Sequence, residues 1–430
     1  MGGGLMQLVA YGAQDIYLTG NPQVTYFKIV YRRHTNFSLE SVEQTFNGAA
    51  DFGKKVTCTI SRNGDLIHKT YLQVDLPSVV VPVPGSGSNT FRWVNWVGHA
   101  LIKSVEIEIG GQKIDKHYAV WLHIWNELTQ TPGRALGYAN MVGNTPALTT
   151  LTTVASTASA AVTVPGQTLY IPMQFWFCRN PGLALPLIAL QYHEIRINLE
   201  LESLSSLYVG NVTPPSLGYC SLWVDYIYLD TEERRRYAKV SHEYLIEQLQ
   251  FTGDESTSNS QYKVKLNFNH PCKELIWVVQ PEANASAKEW FNFTNAAASL
   301  SGVNVFAGAP GGTNAAITSA VYGGVNPVVS AKILLNGHDR FAERSGSYFN
   351  LVQPYQHHTN IPATGINVYS FALMPEEHQP SGTCNMSRID NATLQLSMTG
   401  VSSGARIKVF AVNYNVLRIM SGMGGLAYSN

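Results

Sequence analysis

One hairpin pattern occurs twice in this chain, and the repetition limits the folds that the sequence can adopt. Residues Val105–Tyr118 alternate apolar and polar side chains, pass through two glycines, and return with one inward-facing apolar residue, Ile114. Residues Lys332–Phe349 follow the same outline through a turn that ends in glycine, and Phe341 is the matching apolar residue. Each segment predicts two antiparallel strands joined by a tight turn. A hairpin used twice predicts a domain plan used twice.

The elements after each hairpin also keep the same order. An aromatic run, predicted as a strand, leads to a loop with a proline, then to an alternating strand, and finally to a strand rich in Val and Tyr. These elements are Phe175–Phe177, Pro186, Ile195–Leu201 and Leu222–Leu229 in the first half, and Tyr369–Phe371, Pro380, Leu394–Met398 and Ile407–Tyr414 in the second.

Strict alternation of apolar and polar residues favours antiparallel sheets with one buried face. It is clearest at Leu72–Leu76, Ile195–Leu201 and Tyr262–Phe268. The sequence therefore predicts an all-β chain of two antiparallel sandwiches with long loops at one end. We expect a Gly-rich N-terminal arm over residues 1–24, a first domain over 25–236 and a second over 237–430.

Helices are expected only in loops. Trp and Leu residues at helical spacing predict a short helix over Ala119–Leu128, and Asp230 is placed to cap another short helix. Residues 146–165 and 281–329 are rich in small residues and predict exposed loop excursions.

Composition narrows the classes of function. Charged residues make up 13% of the chain and the formal net charge is zero, whereas about 25% charged residues is typical. A surface this low in charge indicates that much of it meets protein. The single basic run, Arg234–Arg236, follows two glutamates, so clustered phosphate contacts and direct nucleic-acid binding are not expected.

The chain offers little reactive chemistry. The five cysteines form no C-x-x-C pair, which favours reduced, buried thiols and a reducing compartment. No phosphate-binding, zinc-protease or nucleophile-elbow motif occurs. His357-His358 and Glu376–His378 are interpreted as non-functional loop or strand residues. We therefore expect no enzyme, no catalytic residue, no cofactor and no metal.

The first residues carry no signal-peptide pattern, and no apolar run is long enough to span a bilayer. Among six N-x-[ST] triplets, Asn284 and Asn292 are the candidates for glycosylation, because their loop is expected to be exposed.

Several long stretches resemble those of one known family. They are Gln7–Pro22, Phe27–Phe37, Ser61–Asp65, Gly182–His193, Tyr244–Phe251, Pro380–Asp390 and Asn415–Gly425. They resemble the major capsid proteins of nucleocytoplasmic large DNA viruses, and most closely those of chloroviruses, which infect algae. The resemblance extends over nearly the whole chain and is weakest in the two loop excursions.

The resemblance implies a double jelly roll, that is, two tandem eight-stranded antiparallel jelly-roll sandwiches with short loop helices. It implies a structural major capsid protein that forms homotrimeric, pseudo-hexagonal capsomers in the icosahedral shell of a large double-stranded DNA virus. The implied partners are copies of the same chain, minor capsid proteins and penton proteins. An internal membrane would lie beneath the shell, without insertion of the chain and with the N-terminal arm on the inner side. The implied location is the virion capsid, with synthesis and assembly in the host cytoplasm.

Two further hypotheses accompany this one. A carbohydrate-binding jelly-roll protein is the alternative, in which exposed aromatic side chains would stack on sugars. Aromatic residues make up 11% of the chain and mostly follow strand and helix patterns, which favours the core instead. The second hypothesis places Ala119–Leu128 and residues 146–165 in the outer part of a trimer seam, because both are long and weakly charged.

Overall fold

The computed structural model describes residues 2–296 and 324–428. The chain divides into two units, Met1–Phe37 and Ser38–Asn430. The first unit, which extends past the expected arm of residues 1–24, contains two short helices, Gly3–Val9 and Ile16–Thr19, and neither contains a buried residue.

Eight strands build the first sandwich. They are β1 (Phe37–Gln44), β2 (Lys55–Thr59), β3 (Leu66–Leu76), β4 (Ile102–Ile109), β5 (Gln112–Tyr118), β6 (Gln167–Pro172), β7 (Ile195–Leu201) and β8 (Cys220–Leu229). One sheet has the order β1-β8-β3-β6, and the other has the order β2-β7-β4-β5. This pairing of first with eighth and second with seventh strand is that of a jelly roll.

The second sandwich repeats this topology. Its strands are β9 (His242–Phe251), β10 (Gln261–Lys265), β11 (Pro271–Pro281), β12 (Val328–Leu335), β13 (His338–Asp339), β14 (Ile366–Ser370), β15 (Ala392–Met398) and β16 (Ala405–Met420). The sheets have the orders β9-β16-β11-β14 and β10-β15-β12-β13. The predicted all-β double jelly roll is therefore confirmed.

Both predicted hairpins form with two-residue turns. Gly110 and Gly111 have φ of 58° and 82°, and Asn336 and Gly337 have φ of 50° and 83°. Two successive positive φ angles define the turn whose twist matches antiparallel strands, and they favour glycine and asparagine. Ile114 is buried in β5, but β13 is only two residues long, so Phe341 lies beyond it and is half-buried against Tyr369.

Additional short elements decorate the two sandwiches. The other strands are Val79–Val81, Ser88–Trp93, Thr152–Ala155, Val162–Val164, Leu185–Pro186, Tyr208–Gly210, Glu255–Thr257, Arg344–Ser345, Cys384–Asn385 and Met423–Leu426. The α-helices are Val97–Leu101, Ala119–Thr129, Pro132–Met141, Pro146–Thr149, Trp176–Arg179, Thr231–Lys239, Glu282–Ser286 and Gln353–His357, and single turns of other helix types cover Pro181–Leu183, Leu204–Ser206, Tyr348–Val352 and Met386–Arg388.

The structure confirms some local predictions and corrects others. The helix over Ala119–Leu128 forms as Ala119–Thr129, and the Asp230 side chain accepts a hydrogen bond from Thr231 N at the start of its helix. The predicted aromatic strand at Phe175–Phe177 is wrong, because Trp176–Arg179 is helical. In residues 146–165, Leu148, Val154 and Val164 are buried, so that loop is only partly exposed. Residues 297–323 of the second excursion lie outside the described residues.

Candidate functional site: the junction of the two sandwiches

The two asparagines predicted as glycosylation candidates are enclosed by the protein. Asn284 is 1% exposed and Asn292 is 0% exposed. Asn284 Nδ2 donates to the Thr294 carbonyl at 2.9 Å, and Asn292 Oδ1 accepts from Thr294 N at 3.1 Å. A buried, hydrogen-bonded amide has no room for a sugar in the folded chain. The expectation that this loop exposes Asn284 and Asn292 is therefore wrong.

The apolar core of the first sandwich extends onto the outer face of one sheet of the second, whose own core is separate. On β11, Leu275 and Trp277 face the core of the second sandwich itself. Ile276 and Val278, which point to the other side, belong to the core of the first sandwich. Separating the sandwiches would expose these side chains to water, at a cost of roughly 25 cal/mol per Å² of apolar area. The junction therefore fixes one sandwich against the other.

The helix Ala119–Thr129 lies in this junction. Its Trp121 is 1% exposed, and the Trp121 ring lies 5.8 Å from the ring of Phe410 on β16. Glu127 Oε2 accepts a hydrogen bond from Ala363 N of the second sandwich at 3.2 Å. The apolar residues that motivated a trimer-seam role for this helix are thus used within the chain.

Polar contacts align the edges of the two sandwiches. The Asp115 carboxylate on β5 accepts a hydrogen bond from Leu249 N on β9 at 3.0 Å. The Gln248 side-chain amide donates to the Ile114 carbonyl. Because a hydrogen bond fixes direction as well as distance, these contacts set the register of β9 against β5.

The C-terminal strand Met423–Leu426 pairs with β16 and also reaches the first sandwich. Tyr192 N donates to the Gly422 carbonyl at 3.0 Å. A Cβ atom at Gly422 would lie 2.6 Å from the Tyr192 ring, and one at Gly424 would lie 2.6 Å from Leu190. Gly422 and Gly424 thus allow the backbone at this strand to approach the first sandwich closely.

A buried charge network crosses the same junction. Glu247 on β9 contacts Arg179 Nη1 of the first sandwich at 3.0 Å and Lys273 Nζ at 2.8 Å. The Lys273 side chain is 0% exposed. The Arg179 guanidinium also stacks on Trp125, 3.7 Å from the ring centroid. Arg179 therefore links the helix Ala119–Thr129 to the first strand of the second sandwich.

The network continues through a histidine held between two carboxylates. His358 Nε2 lies 3.2 Å from Glu274 Oε2, and Nδ1 lies 2.9 Å from Glu376 Oε1. Burial lowers the pKa of His358, but the two carboxylates outweigh burial and raise that pKa to about 9. His358 is therefore an imidazolium at neutral pH, and it compensates the fully buried Glu274.

Sequence reasoning missed this network. It interpreted His358 and Glu376 as loop or strand residues without a function, whereas the His358 side chain is 0% exposed and the Glu376 side chain is 19% exposed. Lys273 is the extra residue of a β-bulge, because Cys272 pairs with Asn413 and Glu274 with Val412. The bulge interrupts alternation and turns adjacent charges into the protein. The only sequence signal was Lys273-Glu274 in an otherwise apolar strand.

Burial also changes the pKa values of His99 and Glu127 in the junction. Burial lowers the pKa of His99 to about 3 and raises the pKa of Glu127 to about 7. His99 Nε2 shares a hydrogen bond with the Tyr138 hydroxyl at 2.7 Å. His99 is therefore uncharged at neutral pH, and it contributes packing and a hydrogen bond to the junction.

Within residues 2–296 and 324–428, no group of three or more His, Cys, Asp or Glu side chains is arranged to hold a metal ion. No helix in those ranges is long and apolar enough to cross a bilayer. Cys58, Cys178 and Cys272 are buried thiols, as expected, while Cys220 and Cys384 are half-buried.

Comparison with known proteins identifies the family. The model of the major capsid protein N-terminus matches residues 25–230, and that of the large eukaryotic DNA virus major capsid protein matches residues 233–425. The major capsid protein of Pyramimonas orientalis virus is 58% identical, and that of Paramecium bursaria Chlorella virus 1 is 43% identical, each over 100% of both chains.

A solved structure agrees with the sequence relatives. The chain in a quasi-atomic model of the PBCV-1 virus capsid superposes with a TM-score of 0.75 and 38% identity, over 94% of this chain and 100% of that one. All of these matches are capsid proteins, which decides against the carbohydrate-binding alternative. The chain therefore belongs to the major capsid protein family of large eukaryotic DNA viruses and is a structural protein of the virion capsid.

Proposed function

We propose that this capsid protein forms a homotrimer, and that the trimer is the pseudo-hexagonal capsomer of an icosahedral shell. The observation that carries the proposal is the pair of sandwiches with one topology, joined by apolar residues of the second that pack into the core of the first. Three such pairs around a three-fold axis give six similar sandwiches in a ring. Because a three-fold ring uses head-to-tail contacts, each copy contributes two different surfaces.

We also propose the functional division of the chain. Residues 25–236 and 237–430 form the two jelly-roll domains, and the helix Thr231–Lys239 spans their boundary. Residues 1–24 form an arm directed to the inside of the shell. All large side chains of the helices Gly3–Val9 and Ile16–Thr19 are exposed, which supports a role in contacts with other shell components.

The further partners are proposed from the family. They are minor capsid and penton proteins and an internal membrane beneath the shell, which the chain does not enter. The chain carries no catalytic activity and makes no direct nucleic-acid contact. It is made and assembled in the host cytoplasm.

Light scattering during size-exclusion chromatography tests the homotrimer. We expect a mass of three times 47.2 kDa, and electron microscopy should show hexagonal particles or arrays. A chain that stays at 47.2 kDa at high concentration would contradict the proposal.

Residues 146–165 remain a candidate for the outer part of the trimer seam. Most residues of this segment are exposed between its three buried apolar residues, and none carries a charge. We expect deletion of 146–165 to lower the trimer fraction or its melting temperature. Unchanged trimer mass and melting would contradict the assignment.

A further inference from the structure

Within one chain, the first sandwich covers the outer face of one sheet of the second. The first sandwich contributes two segments to this contact, the one after its fifth strand and the one after its sixth. These place Trp121 against Phe410 and Arg179 against Glu247. Both segments pack on the outer face of the β9-β16-β11-β14 sheet.

Within the described part of the chain, the corresponding segments of the second sandwich have no such cover. After its fifth and sixth strands, at residues 351–355 and 373–374, five large apolar side chains project outward. Their exposed fractions are 48% for Leu351, 39% for Val352, 77% for Tyr355, 71% for Leu373 and 55% for Met374. His357 Nδ1 lies 2.9 Å from the Leu373 carbonyl, which brings the two segments side by side. We call these five residues the apolar patch.

The corresponding sheet of the first sandwich has an open outer face. On the β1-β8-β3-β6 sheet, the Tyr71 ring stacks with Trp223 at 6.3 Å and contacts Tyr170 at 6.2 Å. Tyr170 is 40% exposed. Tyr71 and Tyr170 also line a cavity of 580 Å³, together with Met141. We call Tyr71, Tyr170 and Trp223, with this cavity, the aromatic face.

We infer that the apolar patch of one copy docks on the aromatic face of the next copy. The inference rests on the proposed homotrimer and names the surfaces that build it. Each sandwich would then cover the next in the same way, whether the two belong to one chain or to two. Leu and Met side chains against tyrosine and tryptophan rings form a favourable apolar contact. Because patch and face differ, the contact is head-to-tail, as the closed ring of the proposed homotrimer requires.

Charged substitutions in either surface test the inference. We expect the double variant Leu373→Glu/Met374→Glu to shift the mass from three times 47.2 kDa to 47.2 kDa. The double variant Tyr170→Glu/Trp223→Glu should shift it in the same way, since a buried unpaired carboxylate is costly. Val329→Glu is the matched control, because Val329 is 51% exposed on β12, in the other sheet of the second sandwich.

Mixing the two double variants gives the sharper test. The patch variant keeps an intact aromatic face, and the face variant keeps an intact patch. One wild-type contact can therefore form between them, and we expect a dimer of two times 47.2 kDa that does not grow to a trimer. A mixture that stays monomeric, with both variants folded by circular dichroism, would overturn the inference.

The outcomes separate this inference from the homotrimer itself. If the wild type is a trimer and both double variants are trimers too, the surfaces are wrong while the homotrimer stands. If the wild type is a monomer, the homotrimer fails. Should a variant not fold, hydrogen exchange of the wild type decides: trimer formation must protect residues 351–355 and 371–374, and equal exchange in monomer and trimer would refute the contact.

Discussion

The third strands of the two sandwiches occupy the same place in the same topology, yet β3 is exposed to water on one face and β11 on neither. In β3, buried and half-exposed residues alternate from Thr70 to Leu76. In β11, every residue after Pro271 is buried. One face of β3 meets the core and the other remains open, whereas β11 has its own core on one side and the first sandwich on the other. Because the two strands share one topology, the difference arises from the other sandwich, which covers the sheet of β11 and leaves that of β3 open.

The difference explains where the buried charges are. A sheet covered on both faces has no wet side for a polar residue. Lys273 and Glu274 on β11 therefore need partners inside the protein, and they find them in Glu247 and His358. On the open face of β3, Gln73 and Asp75 are half-exposed and need no such network.

We expect the largest change in stability when a buried cation is removed. Lys273→Met removes one partner of Glu247 in the junction, and we expect it to lower the free energy of unfolding by about 4 kcal/mol. Lys103→Met is the control, because Lys103 pairs with Glu200 at 2.6 Å on the surface of the first sandwich and such pairs contribute about 0–1 kcal/mol. Urea unfolding measures both. Equal losses would show that the two sandwiches do not differ in this respect.

The pH dependence of stability should report His358. Its pKa is raised above the unfolded value of 6.5 to about 9, so its contribution is complete below pH 6.5 and is lost as pH rises through about 9. A shift of this size corresponds to at most about 3 kcal/mol. We expect urea midpoints to fall between pH 6.5 and 9 in the wild type. His358→Gln should flatten that decline, and an unchanged slope would contradict the assignment.

Truncation of an outward-facing residue compares the two third strands directly. Val278 is 0% exposed in the junction, and Val278→Ala should lower the free energy of unfolding by about 2 kcal/mol through lost burial and a cavity. Gln73→Ala on the open face of β3 should change it by less than about 0.5 kcal/mol. A loss at Gln73 as large as that at Val278 would mean that the face of β3 is already covered in the monomer.

The smallest effect separates the two hairpin turns. A Cβ at Gly110 would lie 2.4 Å from His193 Nδ1, whereas Asn336 already holds a side chain at the same turn position, with φ of 50°. We expect Gly110→Asn to lower the free energy of unfolding by about 1 kcal/mol, whereas Asn336→Gly should change it by only a few tenths of a kcal/mol. Thermal melting of both variants measures this. A neutral Gly110→Asn would show that His193 moves aside without cost.

The sequence alone determined the features that depend on neighbouring residues. Alternation predicted the strands, because successive side chains of a strand face opposite sides. The two glycine-containing turns predicted the hairpins, and Asp230 predicted the start of a helix. The repeated order of these local signals predicted two antiparallel sandwiches, and the family resemblance implied that they are jelly rolls. The aromatic run Phe175–Phe177 was predicted wrongly, since a short apolar run fits a strand or a helix equally well.

Only the tertiary structure decided what lies between the sandwiches. Asn284 and Asn292 belong to a loop of small residues that looked exposed, and packing enclosed them. Arg179, Glu247 and His358 come from distant parts of the chain, and no spacing in the sequence relates them. The second face of β11 is buried because another sandwich covers it. Local pattern reports which way a side chain points, but the partner on that side is set by the packing of the whole chain.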